Sequence, residues 1–283
     1  LKIDELANYC KTNKIKAIGL ADSYNLCGAL EFAEKISKVG TQPIIGSQIN
    51  ISNDKLIGKV TLYATSELGY KNLTKLSSKS YLNNKISQDP HCEIDDLILN
   101  SKDLILLTGN YKDFFGKLFY SNKTKNLEQI IEKLKSSFKD RLYIEIQRHG
   151  EELEENYESY LLELSSKFNL PIIAGQEVYY LDHEMAEAHD ALICIGQKQF
   201  IDDKNRFRYN DQHYLKKNSE IQKLYADLPE ALENNYNFPL RCNFRPLFSN
   251  PILPNISSEK GGNADDILKK DSLAGLKNKF KQV

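Results

Sequence analysis

Hydrophobic residues along the first part of the chain alternate between helical and strand spacing. Apolar residues three or four positions apart predict a helix around Leu6, Ala7 and Cys10, and a second over residues 26–39 that Gly40 ends. Short apolar runs predict strands over residues 16–20, 43–51, 59–64, 104–107, 142–147 and 171–174. Further helices are predicted over residues 67–76, 112–121, 125–138 and 152–168. This alternation predicts an α/β fold with mostly parallel strands and helices outside the sheet.

The pattern changes after position 184. Helices are predicted over residues 184–194, 218–227 and 229–236, and a polar loop over residues 202–212. Residues 249–263 are rich in Pro, Gly, Ser and Asn, which is typical of a linker, and a last helix is predicted over residues 265–281. Because the chain starts and stops within helical patterns, we expect it to be part of a longer protein.

Composition is that of a globular chain able to bury a core. Of 283 residues, 41% are hydrophobic and 27% are charged, which excludes a disordered or collagen-like chain. No run approaches the roughly 20 apolar residues that span a bilayer, so we expect no membrane partner. The five cysteines are scattered and none forms a C-x-x-C pair, which favours reduced thiols and a cytoplasmic location.

The charge balance gives no sign of a nucleic-acid-binding face. Basic residues number 38 against 39 acidic residues, for a formal net charge of −1. Only six of the basic residues are arginines, which leaves 32 lysines. Lysine lacks the rigid fork that suits bidentate phosphate recognition. A solvated, lysine-rich surface is therefore the simpler interpretation.

Polar residues that could carry chemistry follow the predicted strands. They lie at residues 21–25, 46–48, 148–150 and 174–180. The carboxyl ends of strands are where α/β folds place their sites. The chain has no P-loop, no G-x-G-x-x-G, no H-E-x-x-H and no G-x-S-x-G motif.

Several longer stretches make the chain recognisable. They are LAD and NLCGA within residues 20–29, QPIIG at 42–46, ELGYKNL at 67–73, DLILLTG at 103–109, YIEIQRHG at 143–150, AEAHDAL at 186–192, YLK at 214–216 and LPEALEN at 228–234. In this order, the chain resembles the PHP (polymerase and histidinol phosphatase) domain of bacterial replicative DNA polymerase III alpha subunits. The resemblance covers nearly the whole chain.

The resemblance implies a fold and a division into domains. The fold is a distorted (β/α)7 barrel of mostly parallel strands with a C-terminal helical extension. Residues 1–248 are expected to form the PHP domain, with the extension from about residue 184. Residues 249–263 are expected to be a linker, and residues 264–283 the start of the following polymerase domain. The family's opening strand, which carries a His-x-His motif, is expected to precede Leu1.

Active members of this family hold metal ions in a cluster of His, Asp and Glu side chains, and the resemblance places six of those ligand positions in this chain. We refer to them as the six ligand positions: Ser23, Gln48, Lys59, His149, Glu177 and Tyr179. Only His149 keeps the family's residue. Glu177 stands in place of an aspartate, and the other four positions carry residues that replace a histidine or a glutamate.

These replacements favour a site without metal and without catalysis. Lys59 would place an ammonium where a cation should bind, and Gln48 lacks the charge that clustered cations require. We therefore expect no catalytic residue, no metal ligand and no cofactor in this chain. The alternative is one weakly bound metal at His149 and Glu177. The remaining histidines, His91, His183, His189 and His213, are interpreted as structural or solvated.

The resemblance also implies a function and partners. The intact protein would be a DNA-directed DNA polymerase with two Mg²⁺ ions in a palm domain absent from this chain. This chain would be a structural domain that docks the proofreading exonuclease subunit and braces the rest of the polymerase chain. DNA and the sliding clamp would be partners through the holoenzyme.

Two alternatives come from other functional classes. One is a stand-alone metal phosphoesterase of the histidinol-phosphatase type. The other is an active 3′–5′ exonuclease within the polymerase. Both require metal ligands that Ser23, Lys59 and Tyr179 do not supply.

Overall fold

The computed structural model describes residues 1–54, 56–82, 84, 88–251 and 263–281. The chain divides into two compact units, Leu1–Leu247 and Phe248–Val283. Most of the predicted linker lies outside the described residues. The interpretation of its two sides as a PHP domain and the start of a polymerase domain stays a prediction.

The first unit is built on a curled, mostly parallel sheet. The described strands are β1 (Ala17–Ser23), β2 (Gln42–Asn53), β3 (Leu56–Ala64), β4 (Cys92–Glu93), β5 (Leu104–Leu107), β6 (Leu142–Gln147) and β7 (Ile172–Gly175). Their order is β1-β2-β3-β5-β6-β7, with β4 paired to β2. Among the described strands, only β3 runs antiparallel to its two neighbours. The predicted α/β class is confirmed, and the sheet forms a half-barrel.

Helices follow most strands, as the hydrophobic pattern predicts. In the described residues they are α1 (Ile3–Thr12), α2 (Ala29–Lys38), α3 (Glu67–Leu82), α4 (Ile94–Leu99), α5 (Phe114–Tyr120), α6 (Thr124–Phe138), α7 (Glu154–Phe168), α8 (Ala186–Gln197), α9 (Asn218–Leu224), α10 (Pro229–Asn237) and α11 (Ala264–Phe280). The helix α11 belongs to the second unit, where the Asn263 side chain accepts a hydrogen bond from the Asp265 N–H at its start. No helix among the described residues has the length and hydropathy to span a membrane.

The main core lies between the sheet and the helices. All four residues of β5 are buried, and Leu104, Ile105 and Leu106 are completely inaccessible to solvent. Side chains on successive strand residues point to opposite faces. Leu104 and Leu106 therefore pack in the main core with Val60 and Leu62 of β3, while Ile105 packs in a smaller cluster on the other face.

The outer edge of β7 is closed by side chains instead of another strand. Asn235 of α10 accepts a hydrogen bond from the Ala174 N–H at 3.0 Å and donates one to the Ala174 carbonyl at 2.8 Å. The neighbouring Asn234 donates to the Ile172 carbonyl at 2.7 Å. An amide side chain carries the same donor and acceptor as a peptide group. The helix α10 therefore completes hydrogen bonding that a neighbouring strand would otherwise supply.

The opposite end of the sheet is more open. Strand β1 pairs with β2, and no other described strand lies beside it. A cavity of about 700 Å³ lies inside the curve of the sheet, and its lining includes Ala21, Gln48, Glu145 and Gly175. The cavity reaches both ends of the sheet and borders the positions where a functional site was expected.

Two short elements were not predicted. Strand β4 has only two residues and α4 has six, so neither is long enough to show a hydrophobic period. The antiparallel direction of β3 was also missed. Asn53 of β2 faces Leu56 of β3 across a tight hairpin, which reverses the chain without the crossover helix that a parallel pair needs.

Removing side-chain volume from β5 should strongly destabilise the first unit. Leu106→Ala should lower the free energy of unfolding by about 2–5 kcal/mol, because it leaves a cavity in a fully buried layer. The measurement is urea denaturation followed by circular dichroism. Leu99→Ala is the control, since Leu99 is 80% exposed and its truncation should change the value by less than about 0.5 kcal/mol. Equal effects of the two changes would contradict this assignment of the core.

Candidate functional site

Four of the six ligand positions form one chain of polar contacts at the edge of the sheet where the parallel strands have their carboxyl ends. Ser23 lies opposite Gln48 in the register of β1 and β2, and its hydroxyl donates to Gln48 Oε1 at 2.7 Å. The Lys59 ammonium donates to the same oxygen at 3.3 Å and to Glu177 Oε1 at 3.4 Å. The structure thus brings together the side chains of Ser23, Gln48, Lys59 and Glu177.

A further carboxylate, Asp113, completes this group. It precedes α5 and is only 3% exposed, and its Oδ1 atom lies 3.8 Å from Lys59 Nζ. Burial raises the pKa of Asp113 to about 6, although the charge of Lys59 opposes this rise. Burial alone would lower the pKa of Lys59, but the carboxylates of Asp113 and Glu177 outweigh it and raise that pKa. We call Lys59, Gln48, Asp113 and Glu177 the Lys59 cluster.

His149 has both ring nitrogens in use. Its Nε2 accepts a hydrogen bond from the Glu177 backbone N–H at 3.3 Å, so its Nδ1 carries the proton and donates to Glu154 Oε1 at 3.1 Å. Glu154 also accepts from the backbone N–H groups of His149 and Gly150, both at 2.8 Å. Burial alone would raise the pKa of Glu154, but these hydrogen bonds hold it below its ordinary value. The carboxylate partner of His149 is Glu154.

Aromatic rings cover His149 and separate it from Tyr179. The His213 ring stacks on the His149 ring with centroids 4.2 Å apart, and its Nδ1 donates to the Glu177 carbonyl at 3.0 Å. The Tyr179 hydroxyl donates to the Tyr209 hydroxyl at 2.9 Å. His213 is 2% exposed, so of its two predicted roles the structural one holds. Burial, with the neighbouring His149, lowers the pKa of His213.

The predicted polar loop over residues 202–212 contacts the site through Tyr209 and Asn210. Asn210 donates to the His149 carbonyl at 2.7 Å. The Lys112 ammonium pairs with Glu151 at 2.6 Å and lies 5.6 Å from the centroid of the Tyr209 ring. Residues 110–112 and 149–151 are thereby joined to the loop.

A second buried carboxylate, Glu145, faces the cavity from β6. Its Oε1 accepts a hydrogen bond from Gln147 at 2.9 Å, and its Oε2 has no hydrogen-bond partner among the described residues. Gly175 leaves the necessary space, since a Cβ atom there would lie 2.0 Å from Glu145 Oε1. Burial raises the pKa of Glu145 to about 7, with the hydrogen bond from Gln147 opposing the rise.

Sequence reasoning missed Asp113, Glu145, Glu154 and the packing of His213. Two of these residues did carry a signal. Asp113 directly precedes an apolar helix, where an aspartate is a common N-cap residue, although its side chain makes no capping hydrogen bond here. Glu145 is the single charged residue in a six-residue strand that is otherwise apolar or uncharged. A charged residue in a buried strand needs a partner and is therefore a candidate site residue.

The six ligand positions do not fit a metal cluster. Lys59 holds an ammonium among the oxygens of the site, both nitrogens of His149 are bonded, and the Tyr179 hydroxyl is bonded to Tyr209. His149 and Glu177 do not offer a pair of free ligands, since the Glu177 carboxylate faces Lys59. Within the described part of the chain, no three His, Cys, Asp or Glu side chains are arranged to hold a metal ion.

Comparisons with known proteins agree on one family. The PHP domain model matches residues 1–149, just over half of the chain. DNA polymerase III subunit alpha of Rickettsia bellii is 36% identical over 99% of this chain, that of Caulobacter vibrioides 33% over 98%, and that of Vibrio cholerae 31% over 99%. The chain spans about a quarter of the length of these relatives, 24%, 25% and 24% respectively.

One solved structure, from Bifidobacterium adolescentis, superposes on 62% of this chain and on 81% of its own, at 10% identity and a TM-score of 0.39. A superposition of that quality has no bearing on function.

The raised pKa of Glu145 should make stability depend on pH. A carboxyl group whose pKa is raised by folding stabilises the fold below its ordinary pKa and loses that contribution as the pH rises through the folded value. A rise from 4.5 to about 7 corresponds to roughly 3 kcal/mol. Glu145→Gln, which mimics the protonated acid, should match the wild type near pH 4.5 and exceed its unfolding free energy by that amount above pH 7.5.

The measurement is urea denaturation of both proteins at a series of pH values. Glu187→Gln is the control, because Glu187 is exposed on α8 and its replacement should leave the pH profile unchanged. A constant difference between Glu145→Gln and the wild type at every pH would show that folding does not raise the pKa of Glu145.

Proposed function

The chain belongs to the PHP domain family, and from that premise we propose that it is the PHP domain of a replicative DNA polymerase of the DNA polymerase III alpha type. Three relatives of that name match 98–99% of this chain at 31–36% identity. The intact protein would extend primers with two Mg²⁺ ions held by carboxylates of a palm domain. It would act in the cytoplasm, where the five cysteines, all free, would stay reduced.

Within that protein, the site at the carboxyl ends of the strands has a structural role and no hydrolytic one. The observation that carries this proposal is the position of Lys59, whose ammonium lies among Gln48, Asp113 and Glu177. Metal-assisted phosphoester hydrolysis requires cations that activate water and neutralise phosphate charge. An ammonium at this position repels such cations, and it does not activate a bound water molecule as a metal ion does.

The two enzymatic alternatives require a different set of side chains. A stand-alone phosphoesterase or an active 3′–5′ exonuclease needs several free nitrogen and oxygen ligands around shared cations. Here the ring nitrogens of His149 are bonded to Glu154 and to the Glu177 backbone. The carboxylate of Glu177 faces Lys59. These contacts favour the structural role.

The domain's second role is to dock the separate proofreading exonuclease. The helix α8 presents an apolar face to solvent, formed by Leu192, Ile195 and the following Phe200, which are 64%, 75% and 80% exposed. We call these three residues the α8 face. Large exposed apolar side chains that lie close together in sequence at the end of a helix favour a protein interface. The α8 face is the surface on which we place the exonuclease.

The purified chain should neither hold metal nor hydrolyse phosphodiesters. Elemental analysis after gel filtration should find far less than one Zn, Mn or Fe ion per chain. Incubation with a labelled oligonucleotide and added Mn²⁺ or Zn²⁺ should give no cleavage above the buffer rate, because the ligands for two cations are lacking. A family member with the complete ligand set, treated in parallel, is the control. One or more tightly bound metal ions per chain would refute the structural role.

Docking should depend on the α8 face. The chain and the proofreading exonuclease of the same organism should elute together in gel filtration, and Leu192→Ser/Ile195→Ser should weaken the complex at least about tenfold, since two buried apolar contacts are lost. The control is Leu82→Ser/Leu99→Ser, which changes two equally exposed leucines on α3 and α4. Separate elution of the wild-type proteins would count against exonuclease docking altogether, and equal weakening by both double variants against this surface.

A further inference from the structure

We propose that the Lys59 ammonium is a built-in counter-ion, and that its removal converts the Lys59 cluster into a binding site for a divalent cation. This inference rests on the proposed structural role of the domain. It goes further by identifying the Lys59 ammonium as the group that neutralises the carboxylates of the site, as a metal ion would do. It also assigns a ligand position, Asp113, that lies outside the six ligand positions.

The geometry around Lys59 is that of a cation among oxygen atoms. Its Nζ lies 3.3 Å from Gln48 Oε1, 3.4 Å from Glu177 Oε1 and 3.8 Å from Asp113 Oδ1. These oxygens come from β2, from the segment after β7 and from the start of α5. One ammonium therefore joins three parts of the chain that are distant in sequence.

The carboxylates of Asp113 and Glu177 are largely shielded from solvent, so water contributes little to neutralising their charges. Asp113 is 3% exposed, and the side chain of Glu177 is 12% exposed. In the described residues, the ion pairs of both carboxylates are with Lys59. Each carboxylate also repels the other. Without the ammonium, two like charges would remain close together and largely buried, which is a costly arrangement.

The remaining oxygens would suit a hard divalent cation. Two carboxylates and one amide carbonyl are the donor types that Mg²⁺, Mn²⁺ and Ca²⁺ prefer. Asp113 Oδ1 has no hydrogen-bond partner among the described residues, so it is free to act as a ligand. Truncating Lys59 would also vacate the volume of a long side chain, which gives room for the ion and its remaining water ligands.

The experiment compares Lys59→Ala with the wild-type 283-residue chain, using MnCl₂ as the probe. Without metal, in EDTA, Lys59→Ala should melt roughly 5 °C or more below the wild type. Added Mn²⁺ should raise its melting temperature, and Mn²⁺ electron paramagnetic resonance should show saturable binding of one ion. The wild type should show neither effect. Lys59→Arg keeps the charge and should behave as the wild type does.

Two further variants make the test specific. Lys59→Ala/Asp113→Asn removes one of the repelling charges, so it should regain part of the lost melting temperature in EDTA and lose the Mn²⁺ response. Lys35→Ala is the matched control. Lys35 also lies between two carboxylates, those of Asp4 and Glu31 at 2.7 Å each, but at the exposed surface. Its removal should create no Mn²⁺ site and change the melting temperature little.

The outcomes separate this inference from the proposed function. If Lys59→Ala melts with the wild type in EDTA, or fails to respond to Mn²⁺, the counter-ion role is wrong while the metal-free structural role stands. The same holds if the Mn²⁺ response survives Asp113→Asn, or if Lys59→Ala does not fold even in Mn²⁺. Mn²⁺ binding by the wild type that Glu177→Gln abolishes would instead overturn the structural role itself.

Discussion

Neutralising buried carboxylates is the constraint on which the centre of this fold depends. Parallel strands bring their carboxyl ends to one edge of the sheet, and there the chain places Asp113 and Glu177 out of contact with most solvent. Neither charge can be buried without a partner. Lys59 of β3 forms an ion pair with each of them, and these pairs connect the segment before α5 to the segment after β7. The hydrogen bonds of Ser23 and Gln48 extend the same network to β1 and β2.

The same rule of polar satisfaction operates elsewhere in the first unit. Glu154 collects the N–H groups that follow β6 and fixes the ring of His149, which in turn accepts the N–H of Glu177. The side chain of Asn235 completes the hydrogen bonding of β7 at its open edge. Each of these contacts gives a buried polar group a hydrogen-bond partner within the chain, so the group needs no water or ligand as a partner. Exceptions among the described residues include Glu145 and Asp113, each of which has one carboxylate oxygen without a hydrogen-bond partner.

The hydrophobic pattern predicted most of the fold because burial is local information. The bounds of β5 and β6 match the predicted strands residue for residue, since β5 is buried throughout and β6 is buried up to its last residue, Gln147. Strand direction is not encoded in such runs, which explains the error at β3. The six ligand positions could be identified from the sequence, but their contacts could not. Asp113 reaches Lys59 across 54 residues of sequence, and His213 reaches His149 across 64, so only the folded chain shows these pairs.

A site that carries its own cation differs from a metal site in what its stability depends on. A bound ion stabilises a fold in proportion to the logarithm of its free concentration above the dissociation constant, so the fold weakens when the ion is scarce. A lysine tethered to β3 is present at a fixed effective concentration whatever the solution contains. For a domain with the structural role proposed above, that independence would be an advantage. Unlike a metal ion, an ammonium group cannot act as a Lewis acid. It does, however, join Gln48 of β2 to Glu177 after β7 without any ligand from outside the chain.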